Sequence, residues 1–579
     1  MSAATRSHRS RDLMNLLIGI ACVLLVLFIG SFARVRADLT SEKRYTLTRA
    51  TDALLDSLQD VVYVKVYLAG ELPADLRRLS DATRELLEEL HVRNPDMLHF
   101  AFIDPSASPD EKTRNDLYAD LQKQGLRYSS VRIEENAAVG ERIVWPCALL
   151  TYKGKQLPLQ LLKTQFRTPD ADMVNRSINN LEFELSSAIR QITTTFKPRV
   201  AFLDGHGELD ELRVKDLATA FAEQYEVSRV RIDGRLDALS DKVEGGRYRA
   251  NRYEALVIAK PDSGFSQKDA YIIDQFVMNG GRVLWAVDAM NAHLDSLRAK
   301  QYSIATPLNL GVERLLFAYG TRLNQDLLLD RQCAPIQFYA TPYGNQQQLV
   351  TRPFPFEPVV VPRSTHPIVN NLDPVHLRFV GSIDTIGLDS AHSTILLTSS
   401  PYTRALRSPV RISLGVVDMD LKLDRNSSPD MPVAVLTEGI FHSAFADRMA
   451  MPDSVLKAMG HRDSSRPTAS LVISDGDAMA NHVDRQKGMY YMLGFDRMAG
   501  TKVYGNREFF INALNYLLDD QSLISLRTRA ISLRQLDMER VARERGRWQL
   551  INVAVPVLLS ILGGVLFFVL RRRRYAHSA

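Results

Sequence analysis

The sequence predicts an α/β protein that two spanning helices anchor in a membrane. Two uncharged apolar segments, 13–33 and 550–570, lie near the two ends of the 579-residue chain. Each is about 20 residues long, which lets a helix with a rise of about 1.5 Å per residue cross a bilayer. Between these segments, short apolar strands alternate with amphipathic helices. The expected protein is one large aqueous block that membrane helices hold at both ends.

The composition is that of a folded protein without a strongly charged partner. Apolar residues make up 45% and charged residues 24% of the chain, which excludes a wholly disordered, collagen-like or coiled-coil protein. The 72 basic and 67 acidic residues give a net charge of +5, which is too small to predict nucleic-acid binding. Three cysteines are too few for a disulfide framework or a cysteine-rich zinc module.

The orientation of the two spans is predicted from the size of the segments that they separate. Basic residues flank both sides of both spans, so the number of basic residues on the two sides is nearly equal and does not decide the orientation. Because a large domain is translocated largely regardless of its charge, we expect the short tails, 1–12 and 571–579, to be cytoplasmic and the block to lie outside the cytoplasm. A cleaved signal peptide is the alternative for the first span, but its apolar run exceeds the usual 7 to 15 or so residues.

The first part of the aqueous block, 38–197, follows the element order β-α-β-α-β-β-α. Strands of this order are expected at 61–68, 98–103, 147–152 and 156–162, with a further strand-like stretch at 130–134, and helices at 74–91, 110–123 and 173–195. This order predicts a thioredoxin-like α/β domain. The loop after its first strand, 69–73, contains no Cys-x-x-Cys, so we expect no thiol–disulfide chemistry there.

The larger part of the block, 198–525, has the alternation of right-handed βαβ units, which predicts a doubly wound, mostly parallel sheet. Proline- and glutamine-bearing sequence at about 291–426 indicates an insertion with short strands of its own. A charged juxtamembrane helix at 526–549 is expected to lead directly into the second span. Strands are expected at 199–203, 227–232, 253–259, 282–287, 394–398, 432–436 and 469–474, and helices at 210–225, 266–279 and 506–518.

The first candidate ligand-binding residues follow the first strand of this parallel sheet. His206 lies between Gly205 and Gly207 at the carboxyl end of the strand, where open α/β sheets commonly bind ligands. The glycines allow the backbone to turn or to approach a ligand, and Glu208 is placed to orient the imidazole or to cap the next helix. The alternative is a capping turn in which His206 forms only local hydrogen bonds.

The second candidate group consists of Asp475 and Asp477, which flank Gly476 after a later strand. Paired carboxylates can coordinate Mg²⁺ or Ca²⁺, but two of them supply fewer oxygens than the roughly six to eight that calcium takes. An acidic loop that caps a helix is the alternative. The histidines are scattered without an HExxH motif, so neither a metal site nor a cofactor is predicted.

The third candidate is Asp288, at the end of a strand that follows Gly280-Gly281. In class I amidotransferase-like sheets such a strand delivers a nucleophilic cysteine, but here Asp288 occupies its end, and Cys147 and Cys333 lie in unrelated segments. Acyl transfer needs a nucleophile, so the pattern indicates an amidotransferase-like (GIFT-like) fold without that activity. The sequence also lacks the Gly-x-x-x-x-Gly-Lys-[Ser/Thr] motif of a P-loop ATPase.

The order of motifs along the chain resembles the gliding-motility-associated ABC transporter auxiliary components, the GldG-like family. The motifs between the two spans are LTRATDALLDSL, VVYVKVYLAG, NPDMLHFAFIDP, RVAFLDGHGELDEL, YEALVIAKP, IDQFVMNGGRVLWAVD, LVISDGDAM and GNREFFINALNYLL. The resemblance covers about 13–570. It implies a non-catalytic periplasmic subunit in the inner membrane of a Bacteroidetes-like bacterium, beside a separate permease and ATPase, and it implies no ligand.

The expected function is that of a subunit that couples the permease and ATPase to periplasmic cargo or to a periplasmic protein or glycan. In the second span, Gly563-Gly564 permits close packing against permease helices within the lipid. One alternative is a periplasmic ligand-binding module with a pocket around His206 and Asp288. A second alternative is a membrane-bound hydrolase or amidotransferase relative, which the missing thiol disfavours.

Overall fold

The computed structural model divides the chain into two compact units, Met1–Arg529 and Ala530–Ala579. The larger unit combines helices with many strands, so the predicted α/β class is confirmed. The structure describes residues 14, 16–25, 28, 47–135, 138–163, 170–194, 196–243, 249–299, 302–340, 348–419, 421, 423, 430–446, 460–519, 526 and 538–575.

Residues 47–194 form a part of the larger unit that we call the first layer. Its four-stranded sheet has the order β2-β1-β5-β6, in which β1 runs parallel to β2 and antiparallel to β5. The strands β3 and β4 form a separate hairpin. The elements are α1 (Arg49–Asp56), β1 (Val62–Val66), α2 (Ala74–Arg93), β2 (Leu98–Phe102), α3 (Glu111–Lys123), β3 (Ser129–Glu135), β4 (Ala138–Val144), β5 (Cys147–Tyr152), β6 (Lys155–Gln160), α4 (Asp170–Asn179) and α5 (Leu181–Thr193).

Helices cover both faces of this sheet. Side chains of a strand point alternately to its two faces, and the three valines of β1 all join the main core of the layer with α1, α2 and α5. On the opposite face, Cys147 and Trp145 pack against Leu121 of α3 in a smaller cluster. The first layer therefore has its own apolar core.

Residues 196–519 form the second layer, whose elements follow in chain order. Up to the predicted insertion they are β7 (Arg199–Asp204), α6 (Lys215–Ala222), β8 (Glu226–Arg231), β9 (Ser240–Lys242), β10 (Arg249–Asn251), β11 (Ala255–Ala259), α7 (Gln267–Met278), β12 (Arg282–Ala286) and β13 (Met290–Asn291). Next come α8 (Ser296–Ala299), β14 (Tyr302–Pro307), α9 (Glu313–Ala318), β15 (Thr321–Leu323), β16 (Asp326–Asp330), β17 (Cys333–Ala340), β18 (Gln348–Val360), β19 (Val375–His376), β20 (Ile383–Thr385), β21 (Ala391–Thr398), β22 (Thr403–Arg407) and β23 (Val410–Ser413). The last are β24 (Pro432–Gly439), β25 (Thr468–Ile473), β26 (Val483–Asp484), β27 (Met489–Tyr490), β28 (Phe495–Asp496), β29 (Thr501–Lys502) and α10 (Asn506–Leu517).

A seven-stranded sheet with the order β21-β24-β25-β12-β11-β7-β8 forms the centre of the second layer. Its last five strands in this order are mutually parallel, whereas β24 and β21 are antiparallel to their neighbours. The strands β11 and β25 are buried at every position, as expected for strands covered on both faces. Helices α6 and α10 lie in the core on one face, and α7 and α9 lie in the core on the other.

The segment predicted as an insertion is built from small sheets around a fourth apolar core. Phe354, Phe356 and Phe379 lie at the centre of that core. The strand predicted at 394–398 lies within β21, which pairs with β24 at the edge of the central sheet although it falls inside the span given to the insertion. Sequence alone could not show this pairing, since β21 and β24 are separated by more than thirty residues.

The smaller unit contains one long helix, α11 (Met538–Tyr575). Among the described residues, its segment Arg543–Leu570 is the one helix that is long and apolar enough to cross a membrane, and it contains the second predicted span. The first predicted span, 13–33, is described only at residues 14, 16–25 and 28, where it is helical, and the rest of it lies outside the described residues. The helical part Leu16–Leu25 is too short by itself to span.

The chain returns from the second layer to the first before α11 begins. In the last turn of α10, Tyr516 packs against the cores of both layers, and just after the helix Asp519 forms an ion pair with Arg190 of α5 at 2.9 Å. Leu526 is then 4% exposed and belongs to the core of the first layer. The two layers are therefore joined within one compact unit, and the last described contact before Ala530 is with the first layer.

Candidate functional site

Charged residues follow three neighbouring strands of the central sheet. Lys260 follows β11, Asp288 follows β12, and Asp475 follows β25. These strands are parallel and paired in register, so their carboxyl ends meet at one edge of the sheet. Open α/β sheets commonly bind ligands at this edge. The arrangement brings Asp288, Asp475 and Asp477 together, and we call this group with Lys260 the carboxyl-edge cluster.

A buried lysine lies at the centre of the carboxyl-edge cluster. The Lys260 ammonium forms an ion pair with Asp477 and lies 3.3 Å from Oδ2 of Asp288. The second oxygen of Asp288 accepts a hydrogen bond of 2.7 Å from the backbone N–H of Gly476. Burying a charge is costly unless it is paired and hydrogen-bonded, and each of these charges has a partner.

Asp475 joins the edge of the sheet to the inserted segment. Its side chain is fully buried. One carboxylate oxygen accepts a 2.8 Å hydrogen bond from the backbone N–H of Asp477, and the other accepts one of 2.7 Å from the backbone N–H of Arg378. Both of its oxygens are thus occupied by backbone donors, which is the role of a loop-capping carboxylate.

Gly476 allows the two strand ends to approach each other closely. A Cβ atom at this position would lie 2.5 Å from the Cβ of Lys260. Lys260 itself has a positive φ of 52°, a conformation that few residues with a side chain adopt. The close approach directs the Lys260 side chain toward Asp288 and Asp477.

Burial and mutual charge perturb every ionisable group of the cluster. Burial raises the pKa of Asp288, and it raises the pKa of Asp475 well above the ordinary value. For Asp477, burial raises the pKa, but Lys260 lowers the pKa by a larger amount, so the net change is downward. For Lys260, burial lowers the pKa, but Asp288 and Asp477 raise it by more. The ammonium of Lys260 is therefore stabilised by the carboxylates around it.

Three further residues of this region come from the inserted segment. Glu357 of β18 accepts through Oε2 from Nε2 of His376 at 3.1 Å, and its Oε1 lies 3.8 Å from Nε of Arg378. Burial raises the pKa of Glu357, but His376 and Arg378 lower it by more. The Arg378 side chain is 44% exposed, which places a cation at the outer side of the cluster.

Four residues of this region were not predicted from the sequence: Lys260, Glu357, His376 and Arg378. The signal for Lys260 was present, because this lysine directly follows the wholly apolar strand β11. No comparable signal exists for the other three, since they lie in the irregular segment whose path depends on tertiary packing.

His206 and Glu208 form a different group from the carboxyl-edge cluster. The imidazole lies 3.3 Å from Glu208 through Nδ1 and 3.4 Å from Asp269 through Nε2. It stacks on Phe265 with the ring centroids 3.9 Å apart. Burial lowers the pKa of His206, but Glu208 and Asp269 raise it by more. Both ring nitrogens thus have a carboxylate partner, of which Glu208 is two positions away in the chain and Asp269 is 63 positions away.

Other predicted features of the site can also be located. Among the residues that the structure describes, no group of three or more histidine, cysteine, aspartate and glutamate side chains is arranged to hold a metal ion. Gly563 and Gly564 lie in the spanning part of α11, and a Cβ at either would meet no atom within 4 Å. A neighbouring helix could therefore approach α11 closely at these positions.

Two family models match the chain. Residues 41–151 match a domain of unknown function, DUF7088, and residues 197–513 match ABC_transp_aux, described as an ABC-type uncharacterized transport system. The second match covers more than half of the chain. The chain belongs to the ABC_transp_aux family. Membership of the ABC_transp_aux family associates the chain with an ABC transporter and supports a non-catalytic auxiliary role.

Individual similar proteins add little to the ABC_transp_aux assignment. An uncharacterized protein of Borreliella burgdorferi is 19% identical over 464 residues, which are 78% of this chain and 82% of that protein. A solved structure, the mmIFT52 N-terminal domain, is 11% identical and matches with a TM-score of 0.30, covering 55% of this chain and 96% of its own. That score is too low to support an argument about fold or function.

Proposed function

We propose that the chain is a non-catalytic auxiliary subunit of a bacterial ABC transporter of the gliding-motility type, anchored in the inner membrane with its aqueous block in the periplasm. A separate permease and a separate ATPase would supply the channel and the energy. The family match supports the auxiliary role, and the apolar helix Arg543–Leu570 supports the membrane anchor. Short basic tails on the cytoplasmic side are consistent with the tendency of large domains to be translocated.

The observation that carries a coupling role is the attachment of Leu526 to the first layer. This residue is buried in the first-layer core, and only eleven residues separate it from the first residue of α11. If the membrane helix moves, that movement would be transmitted through the chain to the first layer before it reaches the second layer. From there it would pass to the second layer through the Arg190–Asp519 ion pair and the packing of Tyr516.

The carboxyl-edge cluster supports the non-catalytic assignment. A hydrolase or amidotransferase of this architecture would use the end of β12 for a nucleophile. Here Asp288 occupies that end, and both of its oxygens are engaged by Lys260 and Gly476. We infer that the cluster fixes the relative positions of β11, β12 and β25 and holds the insertion against them through Arg378.

We also assign the first layer to the thioredoxin-like class and the second layer to the doubly wound, amidotransferase-like (GIFT-like) class. The order β2-β1-β5-β6, with a parallel β1–β2 pair and an antiparallel β5–β6 hairpin, supports the first assignment. Five parallel strands with helices in the cores on both faces support the second. These classes describe architecture and imply no activity.

The decisive experiment is co-purification of the tagged chain with a co-expressed permease and ATPase in detergent. We expect all three chains to co-elute, and we expect replacement of 13–33 and 550–570 by unrelated apolar helices to abolish the association. Introducing leucines at Gly563 and Gly564 should weaken it, whereas Val565→Leu, which changes a neighbouring exposed position, should not. Unchanged association after both spans are replaced would contradict the proposal.

The periplasmic orientation has its own test. Protease added to intact spheroplasts should digest the aqueous block, and protease added to inverted vesicles should leave it protected. The reverse pattern would contradict the orientation while leaving the association with the transporter unaffected.

The second candidate function is ligand binding at the carboxyl-edge cluster. The partly exposed side chain of Arg378, beside the more buried Asp477 and Lys260, is the observation that favours it. A ligand that binds the folded state raises its melting temperature. Such a rise should be lost in Arg378→Gln if the ligand binds at the cluster and in His206→Ala if it binds near His206.

A further inference from the structure

The first layer contains a cavity of about 350 Å³ at the end of its sheet where β1 and β2 terminate. This volume is at the small end of the roughly 300–1,000 Å³ range of pockets that bind small ligands. The cavity lies between the loops that follow β1 and β2 and the end of β4, and none of its lining belongs to the carboxyl-edge cluster. The residues that matter for the argument are Tyr67, Glu71, Asp104, Arg142, Ile143 and Trp145.

Two residues that line the cavity carry a hydrogen-bonding group without a partner among the described residues. Trp145 is 1% exposed, and its indole N–H has no acceptor among the described residues. Asp104 accepts a 2.8 Å hydrogen bond from the backbone N–H of Ser106 through Oδ1, and no described group donates to Oδ2. A buried donor without an acceptor costs free energy, so a ligand that offers an acceptor would gain that amount.

The charges around the cavity favour a cationic ligand. The guanidinium of Arg142 donates to the backbone oxygen of Glu71 at 3.0 Å and to its carboxylate at 3.2 Å, so these two charges offset each other. Among the residues that the structure describes, no cation forms an ion pair with the carboxylate of Asp104. It lies against Gly70, where a Cβ would be 2.3 Å from Oδ2. The glycine therefore leaves room for the carboxylate at the cavity wall.

The apolar part of the lining suits an extended polypeptide. Tyr67, Ile143 and Trp145 provide aromatic and aliphatic surface beside the Asp104 carboxylate. The Ile143 side chain is exposed at the end of β4. Long basic side chains combine an apolar stem with a charged end. The stem can contact the apolar lining while the charged end reaches the Asp104 carboxylate.

We infer that this cavity binds an arginine or lysine of a partner polypeptide, with the cationic end paired to Asp104 and an adjacent peptide carbonyl accepting from the Trp145 indole. The inference goes beyond the proposed function, because it rests on the first layer alone and holds whether or not the chain serves a transporter. It assigns the first layer a role in recognising a basic peptide segment.

The test uses the full chain in detergent micelles and the peptide acetyl-Ala-Arg-Ala-amide. The chain has three tryptophans, and in a Trp548→Phe background the remaining two are Trp145 at the cavity and the fully buried Trp285. We expect a saturable change in tryptophan emission that Trp145→Phe abolishes. Calorimetry should give the same dissociation constant, and the equivalent peptide with neutral citrulline in place of arginine should bind roughly tenfold more weakly or worse.

Asp104→Asn is the decisive variant, because it removes the charge and keeps the Oδ1 acceptor for Ser106. We expect it to weaken binding of the arginine peptide roughly tenfold, with an unchanged melting temperature. Asp120→Asn is the matched control, since Asp120 is an exposed aspartate on α3, and it should bind like the parent chain. Binding of the arginine peptide that is insensitive to Asp104→Asn, or no saturable binding, would overturn the inference.

Agmatine distinguishes a free cation from a peptide, because it has the guanidinium without the peptide carbonyl. We expect agmatine to bind at least several-fold more weakly than the arginine peptide. Equal affinity for agmatine would overturn the assignment of a polypeptide ligand.

Discussion

The ammonium of Lys260 lies 3.3 Å from the carboxylate of Asp288 across two neighbouring parallel strands of the second layer. The register pairs Ala259 of β11 with Ala286 of β12, so residues just beyond both strands emerge at the same edge. Each of the two charged side chains is only 9% exposed. Their charges therefore depend on each other and on Asp477 for compensation.

Lys260→Met is expected to lower the free energy of unfolding by about 3–5 kcal/mol, because it leaves Asp288 and Asp477 buried without their cation. Urea denaturation of the full chain in detergent, followed by tryptophan fluorescence, measures this loss. Lys163→Met is the control, since Lys163 pairs with Glu184 at 3.1 Å in a more exposed position and should cost about 1 kcal/mol or less. Equal losses for the two variants would show that the buried pairing is unimportant.

Gly476→Ala tests the close approach of the two strand ends. The added Cβ would lie 2.5 Å from the Cβ of Lys260, so the loop or the lysine must shift, and overpacking of this kind typically costs about 1–3 kcal/mol. The same denaturation experiment measures the change. Gly387→Ala should be close to neutral, because its Cβ would meet no atom within 4 Å. A neutral Gly476→Ala would mean that the strand ends are not held as described.

The carboxyl-edge cluster shows which site residues a sequence pattern can predict and which it cannot. Asp288, Asp475 and Asp477 were predictable as candidates because each follows an apolar strand of a parallel sheet, and such strands end at one edge. Lys260 follows the same rule after β11 and was missed because a lysine at a strand end is common. Which of these ends are neighbours depends on the strand order, and no local pattern specifies that order.

The irregular parts of the chain show why the remaining features could not be predicted. Arg378 reaches Asp475 through a backbone hydrogen bond between residues 97 positions apart, so only the tertiary path of the insertion brings them together. Similarly, β21 joins the central sheet by pairing with β24, a partner that no local pattern specifies. Helix α6 is predicted at 210–225 but spans Lys215–Ala222, because the residues before it form a turn.

The pairing of His206 with Glu208 and Asp269 predicts a stability that falls as the pH rises. The pKa of His206 is raised in the folded state above the unfolded value of 6.5, so this contribution is complete below about pH 6.5. This contribution is lost as the pH rises through the folded pKa, because His206 then releases its proton. The neutral imidazole no longer attracts the carboxylates of Glu208 and Asp269. The melting temperature of the full chain should therefore fall over this window by more than that of His206→Gln.

His99→Gln is the control for this pH profile, because His99 is exposed on the first layer. The difference in melting temperature between the parent chain and His99→Gln should stay constant across the window, whereas the difference from His206→Gln should shrink as the pH rises. A constant difference for both variants would contradict the charged pairing of His206.

Leu526→Ala tests the attachment of the membrane helix to the first layer. Leu526 is 4% exposed in an apolar core, and removing a buried leucine side chain typically costs about 2–5 kcal/mol. Leu526 belongs to the core of the first layer, so the substitution should weaken its attachment there without altering the core of the second layer. Under the proposed coupling role, the parent chain should change the ATP hydrolysis rate of a reconstituted transporter, and we expect Leu526→Ala to stay associated with that transporter but to lose the change. Leu349→Ala, an exposed leucine of β18, should alter neither stability nor hydrolysis, and full coupling in Leu526→Ala would show that movement does not pass through this contact.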